Sequence, residues 1–172
     1  MKRAIVAGCL AGLVAGCASM GMGGGGATAV ADLAPTTGSS AGGKVTFTQE
    51  GDGVRVNANV TGLKPGAEHG FHVHEKGDCS SGDGMSAGGH YNPDGKPHGP
   101  QSAAHHGGDM PSLMADSYGA ASANFLLKGV SVGAANDLVG KGLIVHRDPD
   151  DFKTQPTGNA GPRIACAVIR KS

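Results

Sequence analysis

Tryptophan is absent from this 172-residue chain, and aromatic residues make up only 3% of it. Basic residues are no more frequent than acidic ones, 14 against 14. With neither a basic patch nor aromatics interleaved among cations, nucleic acid is excluded as a partner. Long apolar runs are missing as well. The stretch from Ala4 to Ala15 falls well short of the ~20 residues that a membrane-spanning helix needs. Cysteine is scarce, at four, and Cys79 and Cys166 lie too far apart in the chain for the closely spaced pairs of a zinc–thiolate site. There is no internal repeat and no strong amphipathic helical pattern, which removes a repeat array and a helix bundle from consideration.

Glycine, by contrast, is abundant at 32 residues. Glycine-rich sequence with short apolar runs predicts an all-β protein with long loops, and the length suffices for one domain with a real core. The N-terminus reads as an export signal: Lys2 and Arg3, then the short apolar stretch, then Val14-Ala15-Gly16-Cys17. That tetrapeptide resembles the bacterial lipobox, in which the cysteine is acylated and becomes the first residue. The expected organisation is a signal over 1–16, a lipidated Cys17 with a flexible tether over 17–26, and a folded domain over 27–172. Met20 and Met22 are read as spacer residues rather than soft copper ligands. The expected location is the bacterial cell envelope, on its periplasmic side, held to the membrane through Cys17. Cys9 leaves with the signal, so Cys79 and Cys166 remain as an even pair in an oxidising compartment, where a disulfide is the default. Loss of Lys2 and Arg3 leaves the mature chain slightly acidic.

Alternation places the strands. Val45 and Phe47 share one face of a strand over 44–49, and Glu50-Gly51-Asp52-Gly53 predicts a hairpin turn. Val54, Val56, Ala58 and Val60 then alternate with Arg55, Asn57 and Asn59, the pattern of a half-buried antiparallel strand. Further strands are predicted over 69–75, 119–127, 143–146 and 164–169. Two stretches, 76–118 and 147–162, lack periodicity, and loops that long in a compact domain are functional or disordered. The Gly, Pro, Asp and His content of the first points to function. The sum is a β-sandwich or barrel whose two long loops cover one outer face.

The most informative stretch is Phe71-His72-Val73-His74. A strand has a side-chain period of two, so both imidazoles point the same way. His90, His98, His106 and Asp109 follow in the first long loop, and His146 ends a later apolar run. Neutral imidazole suits zinc and copper. Two four-coordinate sites sharing one bridging ligand need seven donor residues, and these are seven.

Here a resemblance becomes close. Gly70-Phe71-His72-Val73-His74-Glu75, Ala87-Gly88-Gly89-His90-Tyr91-Asn92-Pro93, Lys96-Pro97-His98-Gly99, His106-Gly107-Gly108-Asp109, Leu143-Ile144-Val145-His146 and the run from Gly158 through Arg163 to Cys166 resemble the copper,zinc superoxide dismutases, in order and over nearly the whole mature chain. The resemblance implies an Ig-like Greek-key β-sandwich or barrel of about eight antiparallel strands with two long functional loops. It implies copper held by His72, His74, His90 and His146, and zinc held by His90, His98, His106 and Asp109, with His90 shared as an imidazolate and acting in proton transfer. Asp150 matches a carboxylate linking His72 and His98, Arg163 matches the arginine beside copper, and Cys79 and Cys166 match the family's bridge. His69 matches a position that supports a ligand without being one, and His105 matches no role. Two residues depart from the common pattern: Ala167 stands where many relatives have glycine, and Arg147 where many have glutamate.

The implied activity is dismutation of superoxide to oxygen and hydrogen peroxide, protecting the envelope, with the superoxide anion drawn in by Arg163 and helped by Lys153. The rival reading is a copper- or zinc-binding buffer or delivery lipoprotein without turnover, which has no need of Arg163 or Asp150. An adhesive lipoprotein would carry degenerate ligands, and none is degenerate. The resemblance leaves room for a homodimer, but no apolar stripe in the sequence marks an interface.

Overall fold

The computed structural model describes residues 26–172 together with Met1, so the expected signal, Cys17, Met20, Met22 and nearly all of the tether lie outside the described residues. Among the described residues, ten strands run in chain order: β1 (Thr28–Pro35), β2 (Gly42–Glu50), β3 (Gly53–Thr61), β4 (Glu68–His69), β5 (Phe71–His74), β6 (Leu113–Met114), β7 (Ala121–Lys128), β8 (Gly142–His146), β9 (Arg163–Val168) and β10 (Arg170–Lys171). Seven of them form one antiparallel path in the order β5-β8-β9-β1-β2-β3-β7, with β10 also paired to β1, and β4 and β6 form a small ribbon. The β5–β8 and β3–β7 pairings join strands far apart in sequence, the long returns of a Greek-key arrangement. One 3₁₀ turn, Met85–Ala87, is the helical element among the described residues, and none of these residues forms a helix long and apolar enough to cross a membrane.

The alternating pattern is realised residue by residue. Val45 faces Ala58 and Phe47 faces Val56 across the β2–β3 hairpin, and Glu50 pairs with Gly53 around the expected two-residue turn. Phe47, Val54 and Val56 are fully buried, each contributing about 1.5–3 kcal/mol by leaving water. Strand β1 escapes the sequence pattern because its inward positions are Ala29, Ala31 and Leu33, and alanine carries little strand signal. The two-residue strands β4, β6 and β10 are too short to show a period.

Strand β5 is where the fold makes a site. Phe71 and Val73 enter the main core, while His72 and His74 point to the opposite face. That face is buried too, because the first long loop folds across it. One edge of β5 pairs with β8, and the loop takes the other. The Tyr91 N–H donates to the Val73 carbonyl at 2.8 Å, and the Val73 N–H donates to the Gly108 carbonyl at 2.9 Å. Gly108 is required for this approach: a Cβ there would run into the Val73 carbonyl oxygen. Beneath the loop, Ala87, Ile144 and Cys166 form a second small apolar cluster with Cys79 against it, and Cys79 and Cys166 are joined by a disulfide.

Candidate metal centre

Four imidazoles converge where β5, β8 and the loop meet. His72 and His74 come from β5 by alternation, His90 is carried to β5 by an isolated antiparallel bridge to His74, and His146 ends β8. At that point β8 and β9 shift register between Val145 and His146, so that His146 faces Arg163 rather than Ile164. Strict alternation from Cys166 would put Ile164 on the metal face. The bulge turns Ile164 toward the core and places Arg163 across from His146. The Arg163 guanidinium then donates to the carbonyls of Gly84 and Gly88, both at 2.6 Å, which fixes it against the loop.

Among the described residues, two groups have donor atoms all within 4.8 Å of one another: His72, His74, His90 and His146, and His90, His98, His106 and Asp109. His90 belongs to both. Hydrogen bonds decide which nitrogen of each ring is left for a cation. The Nδ1–H groups of His74 and His146 donate to the carbonyls of Gly88 (2.9 Å) and Gly161 (3.0 Å), leaving both Nε2 atoms facing each other at 3.3 Å. His72 and His98 instead spend Nε2 on the two oxygens of Asp150, at 2.6 and 2.9 Å. Nδ1 of His72 and Nε2 of His90 are buried without a hydrogen-bond partner, while Nδ1 of His98 and Nδ1 of His106 face the Asp109 carboxylate at 3.0 and 3.2 Å. Buried lone pairs so oriented fit a cation. His90 turns Nδ1 to Asp109 Oδ1 at 2.8 Å, so its ring has one nitrogen for each group. Asp109 Oδ2 is itself steadied by the backbone N–H groups of Gly99 (3.1 Å) and His106 (2.9 Å). The all-imidazole group suits copper, and the three-imidazole, one-carboxylate group suits a closed zinc site.

The electrostatics separate the two groups. Burial drives His72 down to about 4, against the pull of Asp150, and His146 down to about 3. Burial and the neighbouring His90 hold His74 well below the usual imidazole range. These rings are neutral, the state in which an imidazole can take a metal ion. His98 behaves oppositely: burial opposes its charge, but the carboxylates of Asp109 and Asp150 outweigh burial and raise it to about 9. Burial likewise opposes ionisation of Asp109 and Asp150, yet the imidazoles they face hold both carboxyls far below their ordinary range.

The remaining candidates fall outside the donor sets. The His69 Nδ1–H donates to the His146 carbonyl at 2.8 Å. The His105 Nδ1–H donates to the His106 carbonyl at 2.6 Å. Arg147 forms a two-point pair with Asp148, at 2.9 Å in both contacts, so its charge at the rim is compensated. Lys153 is exposed. Two glutamines touch the backbones of donor-set residues without any signal in the sequence, since a neutral amide is not among the usual donors to copper or zinc. Gln101 donates to the Asp109 carbonyl, and Gln155 holds His98.

Comparison with known proteins agrees with this geometry. The family model described as copper/zinc superoxide dismutase (SODC) matches residues 41–169. A curated relative from Aquifex aeolicus (strain VF5), Cu-Zn superoxide dismutase 2, is 43% identical over 136 residues, covering 74% of this chain and 78% of that protein. Among solved structures, a double mutant of a SOD-like protein from Bacillus subtilis superposes with a TM-score of 0.73 at 33% identity, covering 82% of this chain and 96% of that one. The clock protein EA4 superposes at 0.75 with 37% identity, covering 83% and 93%.

Proposed function

This chain belongs to the copper/zinc superoxide dismutase family, and on that premise we propose that it dismutates superoxide at a copper and a zinc ion that share His90 as a ligand. It is an oxidoreductase whose metals are copper and zinc. The single observation that carries the shared-ligand reading is the membership of His90 in both four-donor groups. When bound, copper supplies a one-electron couple and zinc a fixed positive charge. Two superoxide anions and two protons become oxygen and hydrogen peroxide.

The protein's own residues do the rest. His72, His74 and His146 offer neutral nitrogens for copper, and His98, His106 and Asp109 supply the donors for zinc. Asp150 keeps His72 and His98 in the tautomers that leave Nδ1 free. Arg163, permanently charged, attracts the anion and hydrogen-bonds it beside His146. Its anchors on Gly84 and Gly88 hold it in one place, which saves the reaction that ordering cost. His90 Nε2 takes up a proton and returns it to the peroxide product. The buffer or delivery reading explains neither Arg163 nor its two anchors.

We propose further that the enzyme works on the periplasmic side of a bacterial envelope, tethered through lipid on Cys17. The support is the Lys2-Arg3 start, the short apolar run and the Val14-Ala15-Gly16-Cys17 motif. Metal analysis and a superoxide assay on purified protein test the activity, with cobalt(II) in place of zinc to look for magnetic coupling to copper(II). Uptake of one ion only, or two ions without coupling, refutes the shared ligand.

A further inference from the structure

Several residues of the second long loop converge on one zinc-set residue, His98. Gln155 Oε1 accepts the His98 N–H at 2.8 Å, and Gln155 Nε2 donates to the His98 carbonyl at 2.9 Å. A single side-chain amide thus pairs with both backbone groups of one residue, as a neighbouring strand would. Asp150 takes the ring's Nε2 at 2.9 Å. The Phe152 ring lies parallel to the His98 ring, 2° apart in plane and 6.3 Å between centroids. Phe152 has φ 53°, an uncommon conformation for a bulky residue, and its N–H donates to Asp150 Oδ1 at 2.7 Å.

We infer that Gln155 is a positioning residue of the zinc subsite, resting on the reading of His90, His98, His106 and Asp109 as the zinc donors. A ring tethered only at Nε2 still moves with its backbone. Fixing the backbone N–H and carbonyl removes that freedom and holds His98 Nδ1 at 3.0 Å from Asp109 Oδ2. Gln155 does this from the other loop, so the shape of 147–162 sets the geometry of a ligand on 76–112. A primary amide suits this role, because one end accepts, the other donates, and neither carries a charge that would compete with Asp109 or Asp150.

The test titrates zinc into the metal-free full chain against a competing chelator, for wild type, Q155A and Q155E. It adds the d–d spectrum with cobalt(II) in zinc's place and hydrogen exchange at the His98 amide. Q155A is expected to lose about 10–100-fold in zinc affinity, to shift the cobalt bands and to expose the His98 amide, with copper affinity unchanged. Q155E keeps the acceptor for His98 N–H and loses the donor, so it falls between the two and retains amide protection. Zinc affinity and cobalt spectra equal to wild type in both variants overturn the inference, whatever their stability. A wild-type chain that binds no zinc overturns the underlying site reading as well, and is seen before any variant is compared.

Discussion

Gly158→Ala probes how tightly the second loop closes on the metal centre. Gly158 has φ +66°, and a Cβ added there would overlap Asp150 Oδ1 and His98 Nε2, the atoms of the carboxylate–imidazole link. The backbone is pinned on both sides. The Gly158 N–H donates to the Thr154 carbonyl at 2.7 Å, and the Gly158 carbonyl accepts the Asp151 N–H at 2.9 Å. The methyl therefore displaces the link rather than the loop. Two costs add: roughly 1–2 kcal/mol for alanine in the left-handed region, and roughly 1.5–3 kcal/mol for a lost hydrogen bond to a charged group. Gly66→Ala is the matched control, because Gly66 has φ +68° with nothing within 4 Å of its added Cβ. Urea unfolding of both variants in the same metal state should show Gly66→Ala losing only the conformational part, about 1–2 kcal/mol. Gly158→Ala should lose about 1.5–3 kcal/mol more, and it alone should bind zinc more weakly. Equal losses in the two variants, with zinc affinity untouched in both, would refute the steric reasoning.

Three further outcomes are expected. Arg163→Ala keeps its copper but turns over superoxide more slowly and with a flatter dependence on ionic strength; metal content and rate against salt check this, and full activity retained defeats the role given to Arg163. Cys79→Ser with Cys166→Ser loses about 2–4 kcal/mol of stability, and it slackens the loop whose Gly84 and Gly88 carbonyls hold Arg163, so activity falls further than copper content. Denaturation and assay with and without reductant separate the two effects. Zinc binding to the metal-free protein near neutral pH releases about one proton, because His98, raised to about 9, is charged there, whereas burial holds His106 below the usual imidazole range and the facing imidazoles keep Asp109 ionised. The sign for stability follows: the His98 contribution in the metal-free protein is fully present below its unfolded value near 6.5 and is lost as pH rises through about 9. Calorimetry in buffers of different ionisation enthalpy counts the proton, and zero release sinks this reading of the His98 charge.

Much of the site is legible in the sequence because its signals are local. The His72–Val73–His74 alternation depends only on the strand period, and the β2–β3 hairpin only on alternation and a two-residue turn. The loop donors His90, His98, His106 and Asp109 are legible as chemistry, through residue type and motif. Strand β1 is not, because Ala29 and Ala31 bury well yet say little in sequence. Arg147 shows the reverse limit: its charge is plain in the sequence, while its neutralisation by Asp148 depends on side-chain geometry.

The sequence by itself determined the donor inventory, the shared face of His72 and His74, the two long loops and the family resemblance, since each follows from residue identity or a period of two. Tertiary structure decided which nitrogens meet. It did so through the loop backbone seated on the free edge of β5, the register shift that exchanges Ile164 for Arg163 opposite His146, and the Gln155 amide closed on His98. These are contacts between segments far apart in the chain, where a displacement of one residue or about 1 Å changes the partner. No local pattern carries that information; it exists only once both long loops have closed over the sheet.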